Sequence, residues 1–180
     1  RHTLLDESRP RPQDLLPDYG HFNDFPFSTV NGACYSPKGG VILGGDYTMR
    51  KSILGTDRND RILLGDDSHE IHALSGNNSL KVGDGDNRIT AADGNNRISA
   101  GDGANEIETG SGRNRVTAGD GANTVATGQG HDSITLGDGD NQVTSEAGNN
   151  RITLGDGNNH IETGDGNDRI FAGEGLNVIR

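Results

Sequence analysis

"LGDGDNQVT SEAGNNRIT LGDGNNHIE TGDGNDRIF", residues 136–171, writes one nine-residue pattern four times in a row without an insertion. Extending it in both directions, with every ninth residue set on its Ile, Val or Leu, gives an unbroken register over residues 55–180, fourteen nonapeptides in all. A fixed period of this kind marks a repeat architecture, in which each unit buries its apolar face only against its neighbours. Alternate nonapeptides differ. Those starting at Leu64, Val82, Ala100, Ala118, Leu136, Leu154 and Ala172 continue with Gly and then an acid: Asp66, Asp84, Asp102, Asp120, Asp138, Asp156 and Glu174. The other seven carry Asp57, Ser75, Asp93, Ser111, Gln129, Ala147 and Asp165 at that place, and favour Arg just before the aliphatic residue, at Arg61, Arg97, Arg115, Arg151 and Arg169. The unit is therefore 18 residues, repeated seven times.

Two glycine turns and two short aliphatic segments per unit predict a flattened coil with a strand on each side. In RITLGDG, residues 151–157, period-two alternation points Ile152 and Leu154 inward and Arg151 and Thr153 outward. The glycines take the corners, where positive φ or close backbone packing is needed. The expected fold is all-β, a parallel β-roll or β-solenoid of about seven 18-residue coils. At a strand spacing of about 4.8 Å the stack is a rod of roughly 30–35 Å. Residues 1–54 differ in kind, holding all five prolines and six of the seven aromatic residues. Their Pro-rich start reads as an extended arm, FNDFPFSTV as an apolar segment and GGVILGG as a strand leading into the stack. Two parts are thus expected, an irregular arm acting as cap or donor segment over 1–54 and the solenoid over 55–180.

Charge divides the same way. Of the net −11, none belongs to residues 1–54, which hold six Lys/Arg and six Asp/Glu, whereas 55–180 hold ten and twenty-one. So acidic a surface repels nucleic acid and attracts cations or basic partners, and no apolar run is long enough for a transmembrane helix. Cys34 is the single cysteine, which excludes an internal disulfide. The chain opens at Arg1 without a signal-peptide core, as a processed or partial product would. The six histidines show no metal or nucleophile spacing and read as surface residues, no serine sits in a nucleophile elbow, and no catalytic residue is expected.

The nonapeptides resemble the RTX repeats of exported calcium-binding proteins, GGxGxDxUx with U a large aliphatic, which build a parallel β-roll. GTDRNDRIL at 55–63 looks like an opening repeat of that family, and TGDGNDRIF at 163–171 is close to its consensus. The resemblance implies calcium held between coils by the sixth-position Asp with turn carbonyls. Only Asp60, Asp132 and Asp168 match that position here; His69 and ten asparagines fill the rest. Calcium takes six to eight oxygens and prefers carboxylates, so family-type sites are expected to be weak or absent at most turns. Two readings of the asparagines stand side by side. Stacked amides can form a metal-free ladder of turns. Alternatively, calcium binds by a variant set in which third-position Asp66, Asp84, Asp102, Asp120, Asp138, Asp156 and Asp165 act with turn carbonyls.

The outward faces carry arginines with threonines on one side and Glu70, Glu106, Glu108 and Glu162 on the other, so rods of opposite-signed sides could associate laterally. The charges interrupt the Thr and Asn rows that some RTX-like rolls use to bind ice, which disfavours that reading. At the last coil the outward positions become apolar, with Phe171, Leu176 and Val178. Together with Phe22, Phe25, Phe27 and Cys34 of the arm they suggest a head-to-tail joint. Heterologous contacts that do not close on themselves generate filaments, so the leading expectation is an extracellular, self-associating structural subunit. The alternative is a calcium-binding module of a larger exported enzyme or adhesin.

Overall fold

A computed structural model describes residues 28–30, 33–35, 41–43 and 51–180, with side chains from Ser52 onward. From residue 51 each nonapeptide supplies one strand of two to four residues, and successive strands alternate between two sheets of ten and eight strands. Neighbours within a sheet are parallel and 18 residues apart: Ile89 lies opposite Ile107 and Ile107 opposite Val125 in the ten-stranded sheet, and Ile98 opposite Val116 and Val116 opposite Ile134 in the eight-stranded sheet. The two unequal halves of the repeat are thus the two walls of one coil. The expected parallel β-solenoid of 18-residue coils is what the chain forms, and no helix occurs among the described residues.

The core is a pair of aliphatic columns. Ile71, Ile89, Ile107, Val125, Val143 and Ile161 line the ten-stranded wall, and Ile62, Leu80, Ile98, Val116, Ile134 and Ile152 line the other, all sealed from solvent. Two residues further along, the eight-stranded wall adds Leu64, Val82, Ala100, Ala118, Leu136 and Leu154, while the ten-stranded wall has only Ala73, Ala91, Thr109, Thr127 and Ser145. Small residues on one wall leave room for the larger ones on the other, as close packing requires. The buried Thr127 and Ser145 hydroxyls bond each other at 2.9 Å, whereas Thr109 Oγ1 has no partner.

Before Gly55 the chain already contributes strands to both walls. Val41–Leu43 pairs in parallel with Arg61–Leu63, as the GGVILGG segment predicts, and Ala33–Tyr35 pairs in parallel with Lys51–Leu54. These pairings span 20 and 19 residues, as in Ile42 opposite Ile62 and Cys34 opposite Ile53, so the strict repeat begins only after them. Ser28–Val30 lies antiparallel to Ala33–Tyr35 and forms the outermost strand of the ten-stranded sheet. Phe22, Phe25 and Phe27 and the side chain of Cys34 lie outside the described residues.

The corners show why glycine recurs at two places. Gly103 has φ of 119°, a conformation that side chains disfavour. Gly101 is needed for space, since a Cβ there would collide with the Asp84 carboxylate and the Gly83 backbone of the preceding coil. Replacing Ile107 with Ala should lower unfolding free energy by about 2–5 kcal/mol. The same change at Ile179, which occupies the equivalent inward position in the last coil but is 52% exposed, should cost far less. Urea melts of both variants check this, and equal losses would contradict a core built from these columns.

Candidate metal centre

The sixth residue of each nonapeptide sits where the turn re-enters the strand, and its side chain points into the coil. Asn78, Asn87, Asn96, Asn105, Asn114, Asn123, Asn141, Asn150 and Asn159 are all at least 98% buried there. Asn105 shows the full pattern. Its Nδ2 donates to the carbonyls of Gly101 at 3.1 Å and Gly103 at 3.0 Å, both in its own turn, and to Oδ1 of Asn123 in the next coil at 3.0 Å. Its backbone N–H donates to that same Oδ1 at 3.2 Å. Asn123 and Asn141 repeat the arrangement, as does Asn159 toward Asn177. One primary amide therefore binds two inward turn carbonyls and clamps two coils; the Gly101 carbonyl also accepts the Gly119 N–H at 3.1 Å, whereas that of Gly103 left unpaired would cost about 1–3 kcal/mol.

Carboxylates at this position lack the donors, and the three that occur meet different fates. Asp60 is satisfied by Thr56, whose backbone N–H and hydroxyl donate to its two oxygens at 2.7 and 2.9 Å. Asp168, half-buried in the last coil, accepts the Asn150 N–H at 2.8 Å. Asp132 is 2% exposed and accepts the Asn114 N–H on Oδ1 at 2.8 Å, while its Oδ2 is buried without a partner. The turn carbonyls that an asparagine would bind here belong to Gly128 and Gly130. An orphaned carboxylate oxygen beside electron-rich carbonyls is a donor set for a hard cation. Asp132 and Asp168 stand two coils apart, about 10 Å, too far for one ion with ligand bonds of about 2.3–2.6 Å.

The third-position acids are not gathered into a site. Asp84, Asp102, Asp120, Asp138 and Asp156 are exposed, and each accepts on Oδ1 the backbone N–H of its equivalent in the next coil, at 2.7 to 3.2 Å. Asp66 begins the column, packed over Gly83. The backbone carbonyls of Asp120, Asp138, Asp156, Asp165 and Glu174 accept glycine N–H groups from the preceding coil. One oxygen of each of these carboxylates, and the carbonyls named, are thus engaged in the stack. Among the described residues no three His, Cys, Asp or Glu side chains come together as a metal cluster. The Asp132 turn thus offers a free carboxylate oxygen that could contribute to a calcium shell, whereas at the asparagine turns the amide already occupies the turn carbonyls.

Sequence reasoning missed two features. His69 is buried at 7% exposure, because the sixth position faces inward whatever residue fills it, and both its backbone N–H and its ring Nδ1 meet Asn87 Oδ1. The surface reading of His69 is thereby corrected. A further ladder runs along the fifth position, where Asn59 accepts from the Asn77 N–H, Asn77 from Asn95 and Asn95 from Arg113, at 2.7 to 2.8 Å. On the outer face of the ten-stranded wall, the hydrogen bond with His160, and secondarily that with Arg180, holds the Glu162 carboxyl below the usual carboxylate range.

Asn105→Asp should destabilise the chain in chelator by about 2–4 kcal/mol, through loss of two amide donors and placement of a charge against carbonyls, with part of the loss recovered by calcium. Asp132→Asn should do the reverse, raising stability in chelator by about 1–3 kcal/mol and shrinking the calcium-induced rise in Tm. Thermal melts with and without calcium read both variants, and an unchanged calcium response in Asp132→Asn would remove this turn as a cation site.

The family model for the RTX calcium-binding nonapeptide repeat (four copies) matches over residues 72–107, 81–116, 108–143, 117–152 and 144–179. Among curated proteins and among solved structures nothing matches the chain. The matches run together over residues 72–179, more than half of the chain, and they coincide with the coils whose turns have been described. The chain belongs to the RTX calcium-binding nonapeptide repeat family.

Proposed function

We propose that this protein is an exported, non-catalytic structural rod that extends by end-to-end association, with calcium as a local stabiliser and not a requirement at every turn. The observation that carries the reading is the asparagine ladder, in which each buried amide closes its own turn and joins the next coil without a metal. Ile161 is sealed, whereas Ile179, its equivalent one coil later, is 52% exposed, and Leu176 and Val178 beside it are exposed too. Val178–Ile179 is also the outer strand of the ten-stranded sheet, so its free side offers backbone groups ready for another strand. At the opposite end, the outer strands are Ser28–Val30 in one sheet and Val41–Leu43 in the other, and a second copy seated there would make a heterologous contact that does not close.

Phe171 takes a different place from Leu176 and Val178. It points from the eight-stranded wall and lies beneath the guanidinium groups of Arg169 and Arg151, 4.9 and 5.5 Å from its ring centre. This leaves Ile179, Val178 and Leu176 as the apolar contributors to the joint.

In a second reading the open column is covered by further chain, the solenoid being a calcium-binding module of a larger exported protein. The unbroken register up to the last coil suits this equally, and the intact mass of the protein isolated from its source distinguishes the two. Calcium at Asp132 would supply positive charge for Oδ2 and the neighbouring carbonyls, while Asn114 holds Oδ1 in place.

Sedimentation velocity over a concentration series, in calcium and in chelator, should show oligomers that grow with concentration in both. Ile179→Lys should shift them to monomer. A monomer at every concentration would remove end-to-end extension.

A further inference from the structure

The outer face of the eight-stranded wall carries an unbalanced charge. Arg61, Lys81, Arg97, Arg115, Arg151 and Arg169 are all exposed on it, and the described strands of this wall bear no acidic residue. Among the described residues none of these six cations has an ion-pair partner. The ion pairs that do occur, Glu70 with His72, Arg88 with Glu106, and Glu162 with His160 and Arg180, all belong to the ten-stranded wall. Of the acids expected to mark the opposite face, Glu106 and Glu162 are paired with arginines in place, while among the described residues no cation of the arginine face is paired with an acid.

The register sharpens the point. Arg97 stands directly opposite Arg115, and Arg151 directly opposite Arg169, on adjacent strands. Like charges so placed weaken a sheet unless an anion lies between them. A shallow groove on the same face is lined by Arg61, Ser79, Lys81, Arg97 and Ser99. Beside the arginine row runs a row of hydroxyls, Ser99, Thr117, Thr135 and Thr153, paired strand to strand.

We infer that this face binds a linear acidic polysaccharide, a polyuronate whose carboxylates meet the arginine row and whose hydroxyls meet the serine and threonine row. The guanidinium fork matches a carboxylate in two parallel hydrogen bonds. A regular polymer can engage several coils at once, because the cations recur at multiples of the strand spacing, about 4.8 Å. The width of the strip selects the occupant. Strands of three to four residues make it about 10–13 Å across, and the turns that border it carry the Asp66 to Glu174 column on one side and Asp57, Asp93 and Asp165 on the other. A nucleic acid duplex is broader than this strip and would press its phosphates onto those acids. The strip also lacks the succession of aromatic rings on which single strands stack, having only Phe171. A single sugar chain fits between the borders.

The test measures binding of a short oligogalacturonate, with a neutral glucan of similar length as control, by calorimetry at low and high salt with calcium present. Arg97→Ser with Arg115→Ser is the diagnostic variant, since Ser79 and Ser133 already hold serine at this position of the repeat, and circular dichroism checks that it folds. Arg88→Ser on the other wall is the matched control. The expected result is salt-sensitive binding of the uronate and not the glucan, weakened about tenfold or more in the double variant and unchanged in Arg88→Ser. Absence of uronate binding, equal binding of the glucan, or equal loss in both variants would overturn the assignment. It would also be overturned by duplex DNA binding as tightly as the uronate, or by salt-sensitive self-association that the double variant abolishes, which would assign the face to a second copy. Ile179→Lys separates this surface from the joint, since it should leave uronate binding unchanged.

Discussion

Every other feature of this molecule depends on how a tight glycine turn finds donors for the carbonyls it aims inward. In a nine-residue repeat there is no room for a second layer of chain and no helix to cap the corner, and water does not reach this position. The buried asparagine solves the problem locally: its amide nitrogen binds two carbonyls of its own turn while its oxygen takes two N–H groups from the coil before it. Because a single side chain closes the turn and joins the coils, the outward strand positions take no part in this closure, and the outward faces are varied. Glycine at the second position follows from the same geometry, since the third-position carboxylate of the preceding coil lies over it.

The relation to calcium follows from the donor count. A cation accepts electron pairs from carbonyls and carboxylates together; an amide supplies two protons to the carbonyls and needs no charge to balance it. Where the sixth residue is asparagine the turn is complete as it stands, and a cation would have to displace a hydrogen-bonded amide to enter. Asp132 inverts this, leaving a buried oxygen without a donor in the middle of an otherwise satisfied edge.

Most of the architecture was legible in the sequence because a solenoid is a one-dimensional object: the register of the aliphatic residues is also the register of the sheets, and Ile152 and Leu154 face inward for the same reason that Ile134 and Leu136 do. The asparagine ladder could be written down as one of two possibilities from composition alone. What spacing could not decide was which oxygens find donors. Asp60 and Asp132 occupy equivalent positions, yet only Asp60 has Thr56 four residues earlier to satisfy it, a difference written in the sequence but meaningful only once the turn geometry is known. His69 was read as a surface residue by its chemistry, whereas its position in the repeat places it inside. The charged faces were visible as rows of letters, but which charges pair, as Arg88 with Glu106 and Arg180 with Glu162 do on the ten-stranded wall, depends on reach across neighbouring strands.

The two edges of the coil differ in a way that gives the rod an electrical direction. Along one edge Asn87, Asn105, Asn123, Asn141, Asn159 and Asn177 pass a hydrogen bond from amide to amide without interruption, every Nδ2 aimed toward the last coil. Aligned dipoles in a shielded column add, and each polarises the next, much as peptide units do along a helix. On the other edge the series breaks at Asp132, where a carboxylate replaces the amide. One side of the stack therefore carries a continuous polarisation ending positive at the last coil, whereas the other passes a bond from amide nitrogen to amide oxygen only between Asn96 and Asn114. The rod is a polar object along its length as well as around its circumference, so its two ends present different electrostatic potentials to anything that approaches them.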